Sequence, residues 1–264
     1  MKARAVAQLT IALSFSALIS TPTFAQTASS KATAAINTGV GCTASGSADG
    51  ATLPVSCHDI FSGASVAVTP DNFVPVMTST MKVSNSQSII VSPSLVTGLY
   101  TNTMTKTHTG GTSTATATGG VYLRVVLRDP NTGAVVQVAD PVAACSDAIL
   151  GCVQDSSNHY GVVLDSRLQT LTQTLSNCVV TVAGTAGGSC DFDSTLQLVL
   201  NTTSAHTFNF IFPNVGVGTY TVSVECGVNT DATSSLGGTA IAGAAYGLGS
   251  MTAESVRLVH GFTF

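Results

Sequence analysis

Apolar and polar residues alternate most strictly in the middle of the chain. In VYLRVVLR, residues 121–128, Val121, Leu123, Val125 and Leu127 fall on one side and Tyr122, Arg124 and Arg128 on the other. That period of two is the pattern of a strand with one core face and one wet face. Asp129-Pro130-Asn131-Thr132-Gly133 then supplies a turn, since proline fixes φ and glycine accepts positive φ, and 134–138 continues as strand. Similar short runs over 73–76, 88–91, 99–105, 160–164, 196–200, 208–212, 220–226 and 255–259 predict about ten strands with little helix. The expected fold is all-β: an antiparallel β-sandwich of jelly-roll or immunoglobulin-like type.

Two sequences flanking a turn carry the strongest core signal. Phe208, Phe210 and Phe212 share one face of TFNFIF; Tyr220, Val222, Val224 and Cys226 share one face of TYTVSVEC, leaving Thr219, Thr221, Ser223 and Glu225 on the other. The first face must be core, and the second is predicted to meet it, so Cys226 points inward. RLQTLTQTL, residues 167–175, mixes leucines at helical spacing with β-branched threonines and reads as a short helix or an irregular strand. Residues 107–120 and 227–250 are rich in Gly, Ala, Ser and Thr. The second stretch is too long for an ordinary connection, so it is either a mobile functional loop or, the preferred reading, the place of a hidden weak strand near 240–246.

Composition narrows the setting. Charged residues are 8% of the chain against 44% hydrophobic, and 38 threonines supply much of the polar surface. So little charge weakens the repulsion that keeps chains apart, and self-association becomes an expectation. Residues 1–25 combine Lys2 and Arg4, an apolar run and the small-residue end Thr23-Phe24-Ala25, the order of a secretory signal peptide. Residues 26–68 read as an Ala/Ser/Thr/Gly-rich leader or linker containing Cys42 and Cys57, and 69–264 as the sandwich domain. Without 1–25 the chain carries 7 basic and 13 acidic residues, a formal charge of −6, which argues against nucleic acid as a partner. No later segment is long and apolar enough for a transmembrane helix. The predicted location is outside the cytoplasm: extracellular, cell-surface or periplasmic.

The search for chemistry is mostly empty. Gly247-Leu248-Gly249-Ser250-Met251 lacks the spacing of a nucleophile elbow, and the five histidines, His58, His108, His159, His206 and His260, stand singly. In CDFD, Asp191 and Asp193 lie on one side of an extended segment and are the better candidates for Ca²⁺ ligands; no other cofactor is indicated. Tyr122 and Arg124, on the predicted outward face, are the candidate ligand-binding residues. The alternating C-terminal sequence SVRLVHGFTF resembles the closing strand of an outer-membrane barrel, but 6% aromatics and no tryptophan do not furnish the aromatic girdles of one.

Seven cysteines in an exported chain predict disulfides between sequence neighbours: Cys42 with Cys57, Cys145 with Cys152, and Cys178 with Cys190. Cys226 is left as a buried free thiol. The functional expectation is a non-enzymatic secreted or cell-surface sandwich with a structural, adhesive or self-assembly role, its partner a second copy or a surface polymer. The alternative is a ligand-binding module for carbohydrate, with or without Ca²⁺, and behind it stand a hydrolase or an outer-membrane barrel. An exposed Tyr122 beside an open groove would favour the module; an open strand edge would favour assembly.

Overall fold

The computed structural model describes residues 31–61, 72–182, 185–190 and 192–257, with the side chains of 178–190 excepted. Its strands are β1 (Ala32–Asn37), β2 (Gly41–Ala48), β3 (Ala51–Thr52), β4 (Val74–Val83), β5 (Gln87–His108), β6 (Thr112–Arg128), β7 (Val135–Val138), β8 (Cys152–Gln154), β9 (Tyr160–Thr174), β10 (Cys178–Val182), β11 (Thr185–Cys190), β12 (Asp193–Thr207), β13 (Phe210–Val215), β14 (Gly218–Ser234) and β15 (Gly238–Val256). One helical turn, α1 (Cys57–Ile60), and a 3₁₀ turn at Val142–Ala144 complete the elements. Two antiparallel sheets pack face to face as a β-sandwich. The larger runs β12-β5-β15-β2-β3, with β1 added on β15 and β13 on β5; the smaller runs β4-β14-β6-β9-β8, with β7 on β6; β10 and β11 form a separate hairpin.

The core is asymmetric along the strands. At one end Met77 and Met81 of β4, Leu123 and Leu127 of β6, Phe210 and Phe212 of β13 and Met251 of β15 fill the space between the sheets. Burying each such side chain is worth about 2–3 kcal/mol. Residues 208–212 and 220–226 do meet across this core, but not as a hairpin. Phe210 and Phe212 pair with β5 in the larger sheet, while Val222, Val224 and Cys226 pair with β4 and β6 in the smaller one. The connection therefore crosses from sheet to sheet.

At the other end the filler is small or polar. Ala115 and Ala117 of β6 meet Ala240 and Ala242 of β15, and a Cβ added at Gly119 would sit 3.0 Å from the carbonyl oxygen of Gly243. Such close approach needs residues without bulk on both sheets. This is why the Gly/Ala/Ser/Thr stretches belong in strands: 112–120 lies in β6, and 227–250 is the end of β14, a turn and the start of β15. The hidden strand near 240–246 is thus part of β15. Residues 167–174 are extended in β9, not helical.

Beside the alanines, β5 and β9 are joined by side chains. Thr97 donates to Asp165 Oδ2 at 2.6 Å, Thr101 to Gln169 Oε1 at 2.7 Å and Thr105 to Gln173 Oε1 at 3.1 Å, each pair 68 residues apart in sequence. A constant separation means that the two strands, one from each sheet, run in the same direction in register. Thr97, Thr101, Thr105 and Gln169 are buried, and their mutual bonds are what make a polar interior tolerable.

The stretch 26–68, read as a leader, contributes β1, β2 and β3 to the larger sheet. β1 pairs with β15 from Ala32 opposite Glu254 to Asn37 opposite Gly249, and β2 pairs with β15 over eight residues. Its small residues resemble a linker in composition, yet small residues are what the neighbouring thin core accepts.

Candidate functional site

The Tyr122–Arg124–Arg128 face is not wet. Residues 129–160 leave β6 through the predicted turn, where Asp129 accepts the N–H groups of Asn131 and Thr132. They then add β7 to β6 and β8 to β9, and Val142, Ala143 and Cys145 come to lie beside Arg124. Arg124 is 5% exposed and Glu225, predicted to face solvent, is 0% exposed. Arg124 Nε donates to Glu225 Oε2 at 2.6 Å; Arg128 Nη2 and Nε donate to Oε1 at 2.5 and 3.2 Å. One buried carboxylate is thus shared by two guanidiniums, which leaves the trio one positive charge in surplus.

Two cavities lie on this face, one lined by Tyr122 and Phe73 and the other by Arg124. The Arg124 guanidinium carbon stands 5.3 Å from the Phe73 ring centroid, within cation–π range. On the Tyr122 side lies a cavity of about 20 Å³ bordered by Phe73, Asp155 and Asn229, room for a single water. Among the described residues, the space that Tyr122 lines is thus too small for a sugar ring. On the Arg124 side the cavity is about 240 Å³, lined by Val138, Val142, Ala143, Cys145 and His159 among others. Asp155 ties the wall together by accepting the backbone N–H groups of Phe73, Ser157 and His159 and approaching His159 Nδ1 at 3.2 Å. Burial pushes its carboxyl upward, but the bonds from His159 and Phe73 outweigh this and hold it below the usual carboxylate range.

A serine, a histidine and an aspartate converge elsewhere, which single-residue inspection of the sequence missed. Ser204 and His206 are two apart on β12, and Ser204 Oγ lies 2.7 Å from His206 Nε2. Asp165 Oδ2, from β9, lies 3.3 Å from the same Nε2. A nucleophilic relay needs the carboxylate on the opposite ring nitrogen, where it orients the imidazole and supports the cation. With both groups on one nitrogen, the arrangement acts as a cross-strand fastening.

The proposed calcium pair is placed only in part. Asp193 bonds to His108 Nδ1 across the β5–β12 pairing; Asp191 lies outside the described residues. Among the described residues no group of three or more His, Cys, Asp or Glu side chains converges.

Cys42 and Cys57 form a disulfide, as do Cys145 and Cys152. Cys178 and Cys190 are backbone partners in the β10–β11 hairpin, their side chains lying outside those described. Cys226 is free and 0% exposed. Burial raises its thiol well above the ordinary value. Across the core, burial and then the nearness of Cys226 push the Tyr246 phenol up to about 12.

The other notable surface is β12, the last strand of the larger sheet. It pairs with β5 over fifteen residues without a register shift, and Leu196, Leu198, Val199 and Leu200 are 41–49% exposed. Ser194, Thr202, Ser204 and His206, on the same face as the three leucines, are half-buried, and Ser194, Thr202 and His206 bond toward β9. The leucines overhang the smaller sheet.

No family model and no curated protein matches the chain. Among solved structures it is similar, at a TM-score of 0.16 and 9% identity over 86% of its length, to a chain in the "Structure of infectious bursal disease virus Gx strain", of which it spans 40%. A likeness so slight carries no argument about function.

Proposed function

We propose that this is an exported, non-enzymatic β-sandwich that assembles with copies of itself through β12. The observation that supports this reading is a long edge strand that pairs with no further strand among the described residues and carries no guard in its own sequence, although Gln169 of β9 takes up its Leu198 carbonyl. Edge strands are ordinarily blunted by lysine, proline or a bulge, because their free N–H and C=O groups template pairing with another chain. β4, at the far edge of the smaller sheet, carries Pro75, Lys82 and a bulge. β12 has none of these between Ser194 and Ala205, and no charged residue. At about 3.4 Å per residue it offers an edge on the order of 50 Å long. Two copies related by a two-fold axis would pair β12 antiparallel, extend the larger sheet across both and cover the leucine rows. Export is supported by the signal-like residues 1–25 and by the two disulfides.

An engineered thiol tests the arrangement. Val199 lies near the midpoint of β12, so Val199→Cys should oxidise to a dimer that reductant dissolves, while Val135→Cys, equally exposed on β7, should stay monomeric. Equal crosslinking of both would mean random collision and would overturn the reading.

A further inference from the structure

We propose that the cavity beside Arg124 binds a carboxylate attached to a small apolar body. Three observations carry this. Arg124 is more than nine-tenths buried, and only its Nε has a hydrogen-bond acceptor, Glu225. Its two Nη groups have no acceptor among the described residues, and they are not sealed away either: the buried side-chain polar atoms without a partner are the hydroxyls of Ser45 and Ser113. The outlet is the cavity of about 240 Å³ that Arg124 lines.

The guanidinium is held before any ligand arrives. Glu225 fixes its Nε edge and the Phe73 ring supports its face, so Nη1 and Nη2 present a rigid planar fork. Such a fork matches the two oxygens of a carboxylate bidentately. The carboxylate of Glu225 is shared with Arg128, so the positive charge is not cancelled. Asp155 is engaged by the N–H groups of its own loop and by His159, and Asp147 by the Tyr160 hydroxyl.

The rest of the wall is part apolar and part polar, with Asn158, His159 and Tyr160 on one side. Val138, Val142 and Ala143 face the space with Cys145, whose disulfide to Cys152 closes the loop. A prebuilt slot with an aliphatic side and a single cation selects a short aliphatic acid over a polyanion. This inference is independent of assembly through β12.

Isovalerate is the probe, with isovaleramide as its uncharged isostere, followed by calorimetry and by the Arg124 Nε–H resonance. Saturable one-to-one binding of isovalerate that moves this resonance, with no binding of the amide, is expected. Arg124→Lys keeps the charge for Glu225 but loses the fork and should weaken binding at least about tenfold. Ala143→Phe, which obstructs the wall without touching the ion trio, should do the same in a protein whose melting temperature is unchanged. A short peptide ending in valine, compared with its C-terminal amide, separates the two sources of the ligand. Tighter binding of the free-acid peptide than of isovalerate assigns the site to chain termini, and the reverse order assigns it to free acids. Equal binding of acid and amide, or full affinity in Arg124→Lys, would overturn the proposal, as would the absence of any saturable effect.

Discussion

The side-chain amide of Gln169 donates to the backbone carbonyl of Leu198 at 2.8 Å, joining β9 of the smaller sheet to β12 of the larger. Its neighbours do the same in register: Arg167 Nη2 bonds Thr202 Oγ1, and Gln173 Nε2 bonds Ser194 Oγ at 2.7 Å. The side of the sandwich is thus closed by side chains where a barrel would use a backbone ladder. These bonds hold the overhanging strand in place and leave its leucines uncovered.

Gln169 is the centre of that seam, also accepting from Thr101 and donating to Thr103. Gln169→Ala removes every bond at once and strands two buried hydroxyls. It should destabilise the fold by about 2–4 kcal/mol, read as a lower urea midpoint with an unchanged slope. A loss below about 0.5 kcal/mol, the level of an ordinary surface change, would show that the seam is not part of the cooperative structure.

Glu225 tests the charged trio. Glu225→Gln leaves two arginines facing a neutral amide at a fully buried position and should cost about 3–5 kcal/mol. A change within about 0.5 kcal/mol, of the kind surface substitutions give, would mean that solvent reaches the trio freely.

Asp155 predicts an acid dependence. Its folded carboxyl lies below the ordinary range, so its contribution is complete above the unfolded value of about 3.9 and is lost as pH falls through the lower folded value. In urea unfolding, the parent protein should be more stable than Asp155→Asn at pH 6, and the gap should close on going to pH 2. A gap that is constant with pH would contradict this.

The thiol of Cys226 should not react with an alkylating reagent in the unreduced native protein, since it is sealed between the sheets and its thiolate is disfavoured. It should label on unfolding. Rapid native labelling of Cys226 would show that the core opens locally.

Alternation made the thick end of the sandwich legible from sequence: the inward sides of 121–128 and 220–226 are where the pattern put them. The reading failed where burial had another cause. Arg124 and Glu225 look like wet positions, and they are dry because residues 129–160 fold back over them, a long-range event no local pattern records. Threonines and alanines in 32–48 look like linker, and those in 112–120 show no strand pattern, because the thin core accepts small and mutually bonded residues, so hydrophobicity carried no signal there. Arg124 was a candidate through its place beside Tyr122, yet the two line different cavities. The Asp165–Ser204–His206 fastening joins residues from two sheets, beyond the reach of spacing.

Assembly through β12 is tested most directly by the solution mass of residues 26–264 across a concentration series by light scattering, for the parent and for Leu198→Lys. Lysine on this edge is the charge that natural edge strands use against pairing, and Leu198 is 42% exposed, so the fold should survive with an unchanged circular dichroism spectrum. The account predicts that the parent moves to a dimer or larger species as concentration rises while Leu198→Lys stays monomeric. A parent that is strictly monomeric at high concentration, or a Leu198→Lys variant that associates as strongly as the parent, would contradict it.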